Sequence, residues 1–235
     1  MAQVLGLIPA RGGSKGIPNK NLRQLAGKTL LGYTADAARA SGVIDRLVLS
    51  TDSEAIAALG RELGIEVPFM RPAELAGDEA AMLPVLQHAV AALEAEGWQP
   101  EIIVLLQPTS PLRTPAHIRD AVELLRAEQC DSVVSVLEIP DDFAPQKALR
   151  LQNGALAYWL PEGKAITRRQ ELEPAYSRDG TVYAFWRATL VEQGSIYGER
   201  CLPLILPHEE SMNLDSEADW ARAEAHLESV SKERV

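Results

Sequence analysis

The chain is 235 residues long, 46% of them hydrophobic, with 33 acidic against 23 basic side chains and a formal net charge of -10 at pH 7. That supplies a core for one large α/β domain and excludes overall disorder, while the acidic balance argues against the broad basic face that nucleic acid or an anionic membrane requires. Cys130 and Cys201 have no metal-ligand spacing and read as thiols rather than a disulfide framework. With no run of roughly 20 apolar residues and no signal-type segment, a soluble cytoplasmic protein is expected.

The chain opens on the apolar run Val4 to Ile8, the first strand signal. Leu47 to Ser50, Ile102 to Leu106 and Val133 to Val136 are further strand candidates bounded by Gly, Pro, Asp or Thr. Between them Leu30 to Ala40, Ser53 to Leu63, Ala80 to Glu96 and Pro115 to Glu128 carry helical apolar spacing. Thr114 before Pro115 has the character of an N-cap followed by a first-turn proline. This alternation predicts a mostly parallel sheet covered by helices on both faces, within one domain over 1–235. From Glu138 to Arg178 the periodicity gives way to prolines, charges and isolated aromatics such as Trp159, so 138–178 is expected to be an insertion serving as a flap or dimerisation element. Thr181 to Trp186 and Leu202 to Leu206 resume strand character, and Ser216 to Val230 reads as a closing helix.

Chemistry concentrates after the strands, where open parallel sheets collect ligands. Ala10-Arg11-Gly12-Gly13-Ser14-Lys15-Gly16-Ile17-Pro18-Asn19-Lys20-Asn21 follows the first one. Glycines allow a backbone to approach phosphate oxygens closely, and Arg11, Lys15 and Lys20 can neutralise a triphosphate. The spacing is not that of a Walker A loop. Thr51 and Asp52 follow the second strand, and the proline-bracketed Gln107-Pro108-Thr109-Ser110-Pro111-Leu112-Arg113 follows the third. That loop suits either a polar ligand or a capped turn. In Asn213-Leu214-Asp215-Ser216, Asn213 and Asp215 can offer oxygens to one Mg²⁺, or Asp215 or Ser216 can cap the final helix. The four histidines form no ligand motif, and no nucleophile elbow is present.

Taken together, IPARGGSKGIPNKNL, STDSE, RPAELAGD, LLQPTSPLR, TRRQ, DGTVYAF and LDSEADW stand in the order of the acylneuraminate cytidylyltransferase family, which the chain resembles over nearly its whole length. The resemblance implies a Rossmann-like nucleotidyltransferase, homodimeric through its insertion, that uses CTP and Mg²⁺. The anomeric hydroxyl of a sialic-type (nonulosonic) acid would attack the α-phosphorus and pyrophosphate would leave. It further implies that Ala10, Arg11, Gly12, Gly13, Ser14, Lys15, Asn21 and Arg71 bind the nucleotide, with Arg11, Lys15, Lys20 and Asp215 as the catalytic groups. Gln107, Lys147, Arg169 and Asp179 would hold the sugar acid, Lys147 and Arg169 reaching in from the insertion. Asp215 and Asn213 would ligate the metal. Three positions depart from the family pattern: Asn213 stands for a common aspartate, Met82 for a hydroxyl residue near the base, and Asp179 for a common asparagine. A nucleotidyltransferase with another acceptor (a different ketosugar acid or a phosphonate) or another nucleotide fits the same residues, as does a noncatalytic nucleotide sensor.

Overall fold

A computed structural model describes residues 3–13 and 16–233. Strand β1 (Val4–Pro9) leads into a small hairpin, β2 (Gln24–Leu25) and β3 (Lys28–Thr29). Then come α1 (Leu30–Ser41), β4 (Arg46–Ser50), α2 (Glu54–Glu62), α3 (Met82–Ala95), β5 (Ile102–Leu105), α4 (Pro115–Glu128) and β6 (Ser132–Glu138). The second half adds the hairpin β7 (Leu149–Gln152) and β8 (Ala155–Tyr158), the long β9 (Tyr176–Trp186), a short α5 (Arg187–Val191), β10 (Cys201–Ile205) and α6 (Glu217–Glu233).

Six strands form one sheet in the order β10-β6-β9-β5-β1-β4. All neighbours are parallel except β9, which runs antiparallel between β5 and β6. Every residue of β5 is buried, because alternate side chains enter different cores. Ile102 and Val104 join residues of α1, α2 and α4. Ile103 and Leu105 join Leu86, Ala89, Val90 and Leu93 of α3 and Leu190 of α5. Helices on both faces account for the unbroken apolar run in the sequence.

The expected strand at Thr181 begins earlier, at Tyr176. Beyond a register shift between Val134 and Val136, the backbone of β6 pairs with Tyr176, Ser177 and Arg178. These three residues are exposed, so ladder hydrogen bonds hold them and no apolar alternation marks them. Thr114 caps α4 as its sequence suggests, accepting from the His117 amide at 3.3 Å, with Pro115 in the first turn. The 138–178 segment contains the β7–β8 hairpin, whose turn residues Asn153 and Gly154 both have positive φ, 51° and 77°. This is the Asn-Gly turn geometry that matches strand twist, a local signal the apolar pattern did not bring out. The same segment leaves Phe143, Leu151, Leu156 and Trp159 at 77%, 76%, 70% and 62% exposure.

A third, smaller core holds Ile17, Leu25, Leu30, Leu214, Trp220 and Ala223. It fastens the segment after β1 and the β2–β3 hairpin to the entry and first turns of α6, with the Arg23 guanidinium 4.3 Å from the centre of the Trp220 ring. Residues some 200 positions apart in sequence are thereby brought to one end of the sheet. Among the described residues, no helix is long and apolar enough to cross a membrane.

Candidate active site

Beyond the carboxyl ends of β1, β4 and β5 lies a cleft of about 400 Å³. Arg11, Lys20 and Arg71 line it together with Asn21, Met82, Gln107 and Asp215. Three cations thus converge on one cavity in a protein whose net charge is -10. Ser14 and Lys15 lie outside the described residues.

The loop after β1 is held from several sides. The Gly12 amide donates to Asp52 Oδ1 at 2.9 Å, and the Asn21 amide nitrogen donates to the Arg11 carbonyl at 3.2 Å. Asn21 is therefore a buried brace of the loop as well as a residue of the cleft wall. Arg11 pairs with Asp78 at 2.7 Å. Ala10 is buried and its amide bonds the Ser50 carbonyl at 3.0 Å, which ties the loop's base to β4.

Lys20 donates to the Leu214 carbonyl at 2.9 Å. Burial pushes its ammonium below the ordinary lysine value, partly offset by the Asp215 carboxylate and reinforced by Arg11. Asp215 is free for this position because it does not cap α6. Ser216 Oγ accepts from the Asp219 amide at 3.2 Å, while Asp219 Oδ2 accepts from the Ser216 amide at 2.8 Å, a reciprocal cap that leaves Asp215 facing the cleft. Gly16 sits so close to this segment that an added Cβ would lie 2.1 Å from the Asp215 carbonyl oxygen.

Arg71 is buried, donating to Ser50 Oγ at 3.0 Å and to the Ser50 carbonyl at 2.6 Å. Desolvation lowers its pKa, against the pull of Asp52. Beside it Leu75, Ala80, Met82 and Val85 form an apolar wall suited to the face of a base. Met82 begins α3, whose N-cap Ala81 makes no side-chain capping bond.

Not every anticipated residue reaches the cleft. Gln107 lines it with Pro108 and Thr109, but the Arg113 guanidinium of the same loop turns inward and is buried, so that loop offers a ligand its amide and hydroxyl without its cation. Asp179 is buried and accepts from Ser135, Thr181 and Ser211; it is not among the cleft-lining residues. Lys147 and Arg169 line a separate cavity of about 260 Å³ within the insertion, where they pair with Asp142 and Asp141. Asp78 is a cleft residue that composition and spacing did not single out; the RPAELAGD motif contained it. His117 and His208 contact Glu210 and the Glu138 carbonyl, and His88 packs edge-on against Phe69.

The oxygen-ligand chemistry can be tested on Asn213 and Asp215. Asn213 Nδ2 donates to Asp215 Oδ2 at 2.6 Å, which puts both side chains at one point of the cleft rim. Among the described residues no group of three or more His, Cys, Asp or Glu side chains forms a metal cluster. One carboxylate and one amide fit a cation that takes its remaining ligands from substrate phosphates and water, as Mg²⁺ does, and do not fit an all-protein cage.

The family model described as cytidylyltransferase matches residues 5–206. The chain is 35% identical over 231 residues to the CMP-N,N'-diacetyllegionaminic acid synthase of Legionella pneumophila, covering 96% of this chain and 97% of that protein. It is 34% identical over 223 residues to the N-acylneuraminate cytidylyltransferase of Streptococcus agalactiae, covering 94% of this chain and about half, 52%, of that longer protein. Its fold is similar to a CMP:2-keto-3-deoxy-manno-octonic acid synthetase solved with CTP, with a TM-score of 0.70 at 16% identity over 97% of this chain and 99% of that one. With this family model and these relatives matching over nearly the whole chain, and with a cleft lined by three cations at the carboxyl end of a mostly parallel sheet, the chain belongs to the cytidylyltransferase family.

Proposed function

We propose that the protein transfers CMP from CTP to the anomeric hydroxyl of a nonulosonic acid of the legionaminic or sialic type. The observation that carries this reading is the convergence of Arg11, Lys20 and Arg71 with Gln107 and Asp215 around one cleft. The names of the relatives support the acceptor class.

In this reading the acceptor oxygen forms a bond to the α-phosphorus as the bond to the bridging α–β oxygen breaks, and pyrophosphate leaves with that electron pair. The acceptor's proton passes to the Asp215 carboxylate or to water. Phosphoryl transfer of this kind is catalysed chiefly by alignment and charge neutralisation. Arg11 and Lys20 counter the phosphate charge, and Arg71 with the apolar wall around Met82 seats the base. Gln107 orients the acceptor. A Mg²⁺ held by Asp215 and the carbonyl oxygen of Asn213 would supply further neutralisation at the phosphates; Asn213 in place of a second carboxylate predicts weaker metal retention.

We infer a homodimer built on the insertion. The exposed Phe143, Leu151, Leu156 and Trp159 support it, since four large apolar side chains in one segment would gain from burial against a second copy. In such a dimer Lys147 and Arg169 would approach the partner's cleft, where a guanidinium can pair with the acceptor's carboxylate. The cytoplasm, which supplies CTP, is the proposed site of action.

The test is pyrophosphate release by the purified protein with Mg²⁺, CTP and a panel of nonulosonic acids, with the other nucleoside triphosphates as controls. Release that needs both CTP and one sugar acid is expected. CTP binding without release across the panel would refute the acceptor assignment and favour another acceptor or a nucleotide sensor.

A further inference from the structure

Arg113 is buried and lies outside the cleft wall, yet its guanidinium makes three contacts, one of them to the backbone of the cleft residue Gln107. Nε donates to the Thr181 carbonyl at 2.6 Å, Nη1 donates to Thr34 Oγ1 at 3.1 Å, and Nη2 donates to the carbonyl of Gln107. It therefore pins α1, β9 and the loop after β5 to one point. Desolvation drives its pKa down to about 9, and Asp179 is the charge that offsets this. Asp179 clasps the same residue from the other side, accepting from the Thr181 amide at 3.1 Å, and also accepts from Ser211 Oγ at 2.9 Å. Two opposite charges inside the protein thus meet across Thr181.

Both branches run on into the cleft. The Thr109 carbonyl, two residues beyond Gln107, accepts from the Leu214 amide at 3.0 Å. The Leu214 carbonyl accepts from Lys20 Nζ at 2.9 Å. Ser211, held by Asp179, begins the segment that carries Leu214 and Asp215. A continuous relay therefore leads from the buried pair to Gln107 on one side and to Lys20 and Asp215 on the other.

We propose that Arg113 and Asp179 are positioning residues, a buried charge pair that sets the spacing between Gln107 and the Lys20–Asp215 side of the cleft without touching substrate. This rests on the proposed transfer reaction for its kinetic consequence, and it reassigns Asp179 from an acceptor-binding role. A guanidinium suits this site because its donors sit on three separate nitrogens, Nε, Nη1 and Nη2, each serving one acceptor; a lysine ammonium also has three donors, but on a single nitrogen that does not span the three acceptors.

The experiment compares wild-type protein with Arg113→Lys and, in case that variant folds poorly, Ser211→Ala, which keeps both buried charges and cuts only the link from Asp179 to the Asp215 segment. Steady-state kinetics with CTP and the sugar acid are read beside CTP affinity by calorimetry and amide exchange at Leu214. Loss of outer supporting contacts of this kind typically costs about 10- to 100-fold in activity, so kcat/KM for the acceptor is expected to fall by about that factor while CTP affinity changes by less than about threefold. The Leu214 amide should exchange about tenfold faster or more, with amides of β5 unchanged. Equal losses for CTP and acceptor, or unchanged acceptor kinetics with unchanged Leu214 exchange in folded variants, would overturn the proposal. If the wild-type protein transfers CMP to no sugar acid, the functional reading fails, and Leu214 exchange still decides the positioning role.

Discussion

Gly16 is where a single methyl group should separate catalysis from folding. An added Cβ would sit 2.1 Å from the Asp215 carbonyl oxygen, whereas real Cβ contacts do not fall below 3.0 Å, so in Gly16→Ala the two segments have to part by about 0.9 Å. The obstacle is backbone, so no side-chain rotation relieves it. The third core fixes both segments, through Ile17 on one and Leu214 on the other, and resists the movement. Overpacking of this size costs about 1–3 kcal/mol of stability, which leaves a folded protein if the domain has ordinary stability. The cleft is less tolerant, because Lys20 spans the same junction through the Leu214 carbonyl. Misplacement of about 1 Å can cost on the order of 100-fold in rate, so kcat/KM for CTP should fall by about that factor while the thermal midpoint drops only by several degrees. Pyrophosphate release and thermal unfolding read the two effects separately. A Gly16→Ala protein with kcat/KM within about threefold of wild type would refute the claim that this contact holds the catalytic geometry.

Other expectations are as direct. Because burial lowers the Lys20 pKa, its proton is lost at a lower pH than that of an ordinary lysine; the alkaline limb of kcat/KM for CTP should have its midpoint below 10.5, and Lys20→Arg should move that limb upward. The same lowered pKa means the buried charge disfavours folding at neutral pH, so the Lys20 contribution to stability should improve as pH rises through the folded-state pKa toward the unfolded one. Asp215→Asn should lower kcat at least about tenfold and raise the Mg²⁺ concentration needed for half-maximal activity, since the ligand charge is lost; an unchanged metal requirement would remove Asp215 from the metal site. Leu151→Asp with Leu156→Asp should convert a dimer to a monomer by sedimentation and lower acceptor kcat/KM about tenfold or more through loss of charge-assisted contacts. A wild-type monomer at micromolar concentration would refute the insertion interface.

The sequence by itself determined the βα alternation, because strands buried on both faces and helices with one apolar stripe leave periodic signatures, and Thr114-Pro115 marked a helix start from local chemistry alone. It also located most of the cleft: Arg11, Lys20, Asn21 and Gln107 were legible because they follow parallel strands, where ligands collect, Asp215 stood out through its oxygen pair with Asn213, and Arg71 came only from the family resemblance. What only the tertiary structure decided depends on contacts between distant segments. Tyr176–Arg178 belong to β9 through backbone pairing that no side-chain pattern records. Asp215 faces the cleft because Ser216 and Asp219 cap α6 between them. Arg113 and Asp179 look from the sequence like ligand-binding charges beside the substrate, yet the fold turns both inward, where each finds hydrogen-bond partners drawn from residues between 2 and 79 positions away. Charge and residue type announce that a side chain needs a partner; whether that partner is a ligand or the protein itself is settled only when the chain closes around it.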